Sequence, residues 1–189
     1  MSEKSSTFAA QFEKEQATKS KEQRKRKSKM KKIILLIFSV IAVAFACQAA
    51  LPAVQLKDIN GKTVNTAKLT NNGKPIIISF WATWCKPCIR ELKAIHDVYE
   101  DWQDETGVRI IIVSIDAAQD AQKVKPLVDG FGWEYDVLLD PNGDFKRAMN
   151  VQSVPHMFVL DGKGNIVHNN IGYTDGEESE VYEILKGLK

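Results

Sequence analysis

Two cysteines three positions apart close the segment Phe80-Trp81-Ala82-Thr83-Trp84-Cys85-Lys86-Pro87-Cys88. The segment opens inside Pro75 to Phe80, PIIISF, a short unbroken apolar run that suits a strand buried on both faces. Beyond it, Ile89, Leu92, Ile95, Val98, Tyr99 and Trp102 recur at steps of three and four, which predicts a helix from the Cys pair to about Glu105, stopped by Gly107. The pair therefore falls where a strand turns into a helix. The unpaired backbone N–H groups at a helix start, together with the helix dipole, favour a thiolate on Cys85, and the thiolate is the nucleophile of disulfide exchange. Cys88, one turn in, is placed to attack the resulting mixed disulfide and release the partner. Pro87 suits the first helical turn, where a proline sacrifices no hydrogen bond.

Other uses of a close Cys pair fit less well. A zinc knuckle needs a second pair of ligands, and the only other cysteine is Cys47. A copper site wants wider cysteine spacing and a well-placed histidine, whereas His96, His156 and His168 are scattered along the chain. A purely structural bridge closing so small a loop adds little stability. No metal and no cofactor beyond the two thiols is expected.

Outward from this segment the chain alternates strands and helices. Val54 to Val64 reads as a hairpin turning on Asn60-Gly61, residues that both accept positive φ. Val108 to Ile115, VRIIIVSI, is a second central strand; about Asp120 to Gly130 is helical with Pro126 as a kink or break. Tyr135 to Leu139 is a short strand and Asp144 to Met149 a short helix. Met157 to Leu160 and Asn165 to Asn169 form a hairpin across Asp161-Gly162-Lys163-Gly164, and Glu177 to Leu188 is a closing helix. The pattern is α/β: a central mixed sheet flanked by helices.

The first fifty residues are of another kind. Residues 1–32 carry 11 Lys/Arg against 4 Asp/Glu, a net +7 in a chain whose total is +2, so the remainder sums to −5. This polar tail buries nothing and is expected to be disordered. Its basic run from Lys21 to Lys32 is read as a membrane flank rather than a nucleic-acid site, because the apolar run Ile33 to Ala46 follows at once. Positive flank, apolar stretch and the small-residue end at Ala44-Phe45-Ala46 form the layout of a secretory signal, with the body exported. Three fates are open: cleavage after Ala46, lipid attachment at Cys47, or retention of residues 33–51 as an anchor long enough to cross a bilayer core. Tethering is favoured over release. The expected organisation is a cytoplasmic basic tail at 1–32, a signal or anchor segment at 33–51 and one folded domain at 52–189, with Gln48 to Ala53 as linker.

The string Trp84-Cys85-Lys86-Pro87-Cys88 resembles the W-C-x-P-C active site of thioredoxins, and Val154-Pro155, about seventy residues on, resembles that family's cis-proline. The resemblance covers roughly residues 50–189 and is strongest to the exported TlpA/ResA branch. It rests there on the leading hairpin, on an extra helix and strand at residues 117–140 before the cis-proline, and on Glu91, three positions after Cys88. The resemblance implies a thioredoxin-like fold and a thiol–disulfide oxidoreductase. It also implies protein disulfide substrates, apocytochrome c thiols among them, and a membrane thiol carrier as electron donor. Substrate contacts fall to Trp84, Lys86, Pro87, Val154 and Pro155. Thioredoxins keep a buried Asp six positions before the first Cys, where this chain has Ser79; Glu91, one turn from Cys88, is placed to take over its proton chemistry. His156, after the cis-proline, is either a cation near Cys85 or an exposed residue.

Three other functions remain open at this stage. A disulfide donor would want thiolate-stabilising groups, which Lys86 offers and Glu91 opposes. A peroxidase shares the insertion but wants Thr-x-x-Cys, and Thr83 stands two before Cys85 rather than three. A copper-delivery module could keep the fold without the chemistry.

Overall fold

The computed structural model describes residues 51–188. The basic tail, the apolar run and Cys47 lie outside the described residues. No helix of the described residues is long and apolar enough to cross a membrane.

The sheet grows from β3 (Ile76–Trp81) and β4 (Arg109–Ser114), which pair in parallel from Ile76↔Arg109 to Trp81↔Ser114. All six residues of β3 are buried, as expected of a central strand with both faces covered. β5 (Asp136–Leu139) adds in parallel to β4, while β6 (His156–Leu160) lies antiparallel on the other side of β3. β7 (Ile166–Ile171) pairs with β6 and forms one edge. The hairpin of β1 (Gln55–Asp58) and β2 (Thr63–Asn65) forms the other, giving the order β2-β1-β5-β4-β3-β6-β7. The inserted segment is thus built into the sheet: β5 is the strand on which the leading hairpin docks, through Lys57↔Leu139 and Asp58↔Leu138.

Alternation along β3 splits the core. Ile77 and Trp81 face α1 (Lys86–His96), α2 (Tyr99–Thr106), α3 (Val124–Phe131) and α5 (Glu177–Lys186), meeting Leu92, Trp102, Val128 and Leu185. Ile76, Ile78 and Phe80 face the other way, toward α4 (Asp144–Ala148) through Phe145 and toward Leu51 and Leu56.

Four local expectations are corrected. The helix expected to run unbroken to Glu105 stops at His96 and restarts at Tyr99, with Val98 at φ −122°, ψ 2°. No Gly or Pro marks this break. Re-aiming lets the Tyr99 hydroxyl accept from Ile110 N at 3.3 Å and lets Trp102 stack on Tyr182 at 5.8 Å, so packing against β4 and α5 sets the angle. Pro126 neither kinks nor breaks its helix. It lies in the first turn of α3, where no intrahelical acceptor is needed.

The first hairpin turns on three residues, not two. Asp58 N–H reaches Lys62 O at 2.9 Å, and of Asn60-Gly61 only Gly61 takes positive φ, +86°. The Asp58 side chain dictates this by accepting from Asn60 N at 2.8 Å and Lys62 N at 2.9 Å. Finally, the described part of the expected linker is docked. Leu51 is buried, the Thr66 hydroxyl donates to Pro52 O, and Val54 N donates to Thr66 Oγ1 at 3.0 Å. One glycine is demanded by close approach: a Cβ on Gly162, in the β6–β7 turn, would sit 1.9 Å from the Gly73 carbonyl.

Candidate active site

β3 ends at Trp81, and three residues later Cys85 is the N-cap of α1. Its φ of −87° and ψ of 95° are extended, and its Sγ accepts the Cys88 N–H at 3.3 Å. The sulfur thus occupies the place of a capping oxygen, facing backbone donors that favour negative charge. Cys85 and Cys88 are joined as a disulfide with Cα atoms 5.3 Å apart, so this is the oxidised form. Cys85 is nearly buried, and Cys88, in the first turn, is 0% exposed. Lys86 is exposed, Pro87 is half-buried in the first turn, and Trp84 stands out of the surface at 65% exposure. Trp81 belongs to the core, edge-on to Trp133 at 5.6 Å.

The loop carrying Cys85 hangs on a carboxylate that sequence reading overlooked. Asp116 is fully buried beyond the end of β4; it accepts Thr83 N at 2.9 Å and the Thr83 hydroxyl at 2.7 Å. The Ser114 hydroxyl donates to it at 2.8 Å. These charge-assisted bonds fix the backbone two residues before Cys85. The available signal was an Asp directly after a strand as apolar as VRIIIVSI, where a buried carboxylate needs a dedicated partner.

Glu91 lies one turn beyond Cys88 on α1. It is 1% exposed, and the Ser79 hydroxyl donates to its Oε2 at 2.8 Å. Residues three apart on a helix share a face, so Glu91 and Cys88 both look toward the β3 side of the core. Burial pushes the Glu91 carboxyl up to about 8; the Ser79 bond opposes this and the nearby Glu177 charge adds to it. The position six before Cys85 is thus coupled directly to Glu91. The pairing of Glu91 with Lys93 or Arg90 that a surface position would allow is absent, and Arg90 instead faces Asp175 at 3.6 Å.

Val154-Pro155 is a cis peptide. The register Phe80↔His156 sets it at the same end of the sheet as the Cys85 loop, and Pro155 O accepts Gly172 N at 2.9 Å. Pro155 is buried and Val154 half-buried. His156 is neither exposed nor cationic. It is 5% exposed, stacks on Phe158 at 4.3 Å on the Phe80 face, and among the described residues has no hydrogen-bond partner on either ring nitrogen. Desolvation lowers its pKa, which keeps the ring neutral.

Known proteins are similar to this chain over most of the domain. The AhpC/TSA family model matches residues 47–169. The chain is 31% identical over 131 residues to the thiol-disulfide oxidoreductase ResA of Bacillus thuringiensis, covering 69% of this chain and 73% of that one. A thioredoxin-like protein of Porphyromonas gingivalis, solved in solution, is 67% identical with a TM-score of 0.67, covering 74% and 92% of the two chains. StoA of Bacillus subtilis, 22% identical with a TM-score of 0.55 over 71% of this chain and 98% of that one, shares the fold. With its oxidised Cys85–Cys88 pair at a helix start on a thioredoxin-like sheet, the chain belongs to the AhpC/TSA family, as a thioredoxin-like thiol–disulfide oxidoreductase of the TlpA/ResA type.

Proposed function

We propose that the protein works in the reducing direction on disulfides of exported proteins, tethered by residues 33–51 or through Cys47 at the outer face of a membrane. The reading rests on Glu91, a fully buried carboxyl one turn from Cys88 and held by Ser79. Such a group disfavours a stable thiolate at its side and so favours delivery of electrons over delivery of disulfides.

In the reduced enzyme the Cys85 thiolate attacks one sulfur of the substrate disulfide. A Cys85–substrate bond forms, and the first substrate thiolate leaves. Cys88 gives its proton to the Glu91 carboxylate and attacks Cys85 Sγ. The enzyme disulfide closes, and the second substrate thiolate is released. The substrate has gained two electrons and the enzyme has lost them. A membrane dithiol then attacks the enzyme disulfide at Cys85; Cys88 departs as thiolate and takes its proton from neutral Glu91. A carboxyl with a pKa near 8 is suited to both steps, since it lies close to the working pH.

Docking in this reading uses the exposed Trp84, with Lys86 and Pro87 beside it, and the Val154 backbone next to cis-Pro155 as an added-strand partner. The haem-accepting thiols of apocytochrome c are one substrate class consistent with it. The test is the reduction potential of the Cys85/Cys88 pair in the full chain, equilibrated with a thiol buffer. A value near about −270 mV is expected, and one near about −120 mV would make the protein a disulfide donor.

A further inference from the structure

Cys88 is sealed from solvent, so its proton has no direct way into water, and Glu91, which receives it in the reading above, is nearly as buried. Within one cycle the proton can pass from Cys88 to Glu91 and back, but Glu91 accepts it only as a carboxylate, and a buried carboxyl held mostly neutral must first lose its own proton to the outside. One side of Glu91 is taken by Ser79 on β3. On another side a narrow crevice of about 10 Å³ opens, walled by apolar Ile95, Met157 and Val181 and by the polar Glu91, Asn170, Tyr173, Glu177 and Glu178. That volume admits about one water molecule, and water is held where several polar partners converge.

The outer wall is organised by hydrogen bonds. Asn170, on the edge strand β7, donates Nδ2 to Glu177 Oε2 at 2.8 Å and to Gly172 O at 3.3 Å. Glu177 is the first residue of α5, so the carboxylate is fixed between β7 and a helix start. Tyr173 donates to Glu178 Oε2 at 3.0 Å, and Gly176 N donates to the same oxygen at 3.1 Å, so that carboxylate is already engaged.

We propose that this crevice is a single-water site joining Glu91 to the Asn170-held Glu177 carboxylate, and that Glu177 passes the Glu91 proton to solvent. Glu177 acts through Glu91 and touches no substrate; it is a positioning residue. The inference rests on Glu91 carrying the Cys88 proton.

The groups facing Glu91 can be named element by element. β3 presents Ser79, β6 presents Met157, β7 presents Asn170, and the segment before α5 presents Tyr173. α5 presents Glu177 and Glu178, and Tyr135 lies beyond with its hydroxyl on Leu92 O at 2.8 Å. No Lys, Arg or His lines the crevice among the described residues. A second carboxylate with no cation between adds to the burial that already favours neutral Glu91, and it offers the proton a carboxylate nearer to water.

The experiment follows the two thiolate releases when the reduced full chain, in a Cys47→Ala background, reacts with the aryl disulfide of thionitrobenzoate. The first release reports attack by Cys85, and the second reports resolution by Cys88. Glu177→Gln keeps an acceptor for Asn170 but carries no charge. It is expected to leave the first release unchanged and to slow the second roughly tenfold, less than the about 10²-fold or more expected for loss of the primary acid in Glu91→Gln. The pH midpoint of the second release should also fall. Glu177→Asp keeps the charge and should restore the midpoint. A slowed Glu91→Gln with an unaffected Glu177→Gln overturns the relay and leaves Glu91 as proton carrier. An unaffected Glu91→Gln overturns both. Should Glu177→Gln disturb both releases, Glu177→Asp decides: a midpoint displaced as far as in the Gln variant means Glu177 only stabilises the start of α5, and overturns the relay.

Discussion

Glu91 and His156 lie on opposite faces of the same sheet, Glu91 bonded to Ser79 of β3 and His156 paired in register with Phe80, the next residue of that strand. Burial drives both toward the neutral form, raising the carboxyl and lowering the imidazole. Their surroundings then separate them. Glu91 has a hydroxyl donor on one side and, on the other, a crevice shared with Asn170 and Glu177. His156 has the ring of Phe158 against it and no partner for either nitrogen. A buried ionisable group becomes a working acid or base only where a partner holds it and a route carries its proton; burial alone shifts a pKa and nothing more.

The largest effect belongs to the chemistry that the Glu91 face serves. Cys88→Ser should abolish turnover and leave substrates covalently joined to Cys85 on a non-reducing gel; a clean gel with turnover lost would refute attack by Cys85 and resolution by Cys88. Glu91→Gln should slow the resolving step by about 10²-fold or more without unfolding the chain, and flatten its pH dependence. Rates that match the wild type across pH would reduce Glu91 to a core residue like His156.

Glu91 also leaves a mark on stability. In the unfolded chain its carboxyl ionises near 4.5, and in the fold near 8. Between those values the folded state binds more protons, so stability should fall as pH rises from about 4.5 to about 8 and then level off, by on the order of a few kcal/mol. Glu91→Gln should remove that slope in denaturant titrations at stepped pH. Equal slopes in both proteins would mean that the carboxyl is not held neutral.

Asp116 is a buried carboxylate of another kind, satisfied by three donors: Thr83 N, the Thr83 hydroxyl and the Ser114 hydroxyl. Asp116→Ala should cost about 1–3 kcal/mol through the unpaired Thr83 and Ser114 groups and loosen the Cys85 loop. Hydrogen exchange at the Thr83 amide checks this, since that N–H loses the Asp116 carboxylate that accepts it. The smallest effect belongs to His156→Phe, which keeps the stacked shape. The native imidazole resists protonation, so below about pH 6.5 the unfolded state takes up the extra proton and wild-type stability falls. The Phe variant should lose less stability in that range and turn over at the wild-type rate. A marked rate loss would give His156 a role on the active-site face after all.

Sequence alone determined the parts of this molecule that depend on local order. A continuous apolar run such as PIIISF is compatible with little besides a central strand, and a Cys-x-Pro-Cys at its end is confined to the helix start. Helical spacing likewise put Glu91 on the Cys88 side of α1, because residues three apart share a face whatever packs above them. Tertiary structure decided what depends on residues distant in the chain. The break before Tyr99 carries no local signal and is set by β4 and α5. The three-residue hairpin loop follows from the Asp58 side chain, and the chain at Leu51 to Val54 is docked because Thr66 holds it. Asp116 is tied to Thr83 across 33 positions, and Glu91 comes to share a crevice with Asn170 and Glu177. His156 reads in sequence as either a cation near Cys85 or an exposed residue; only strand pairing turns it to the wall opposite. A side chain's local direction is written in its spacing, but its dielectric surroundings and its partners exist only once the strands have paired.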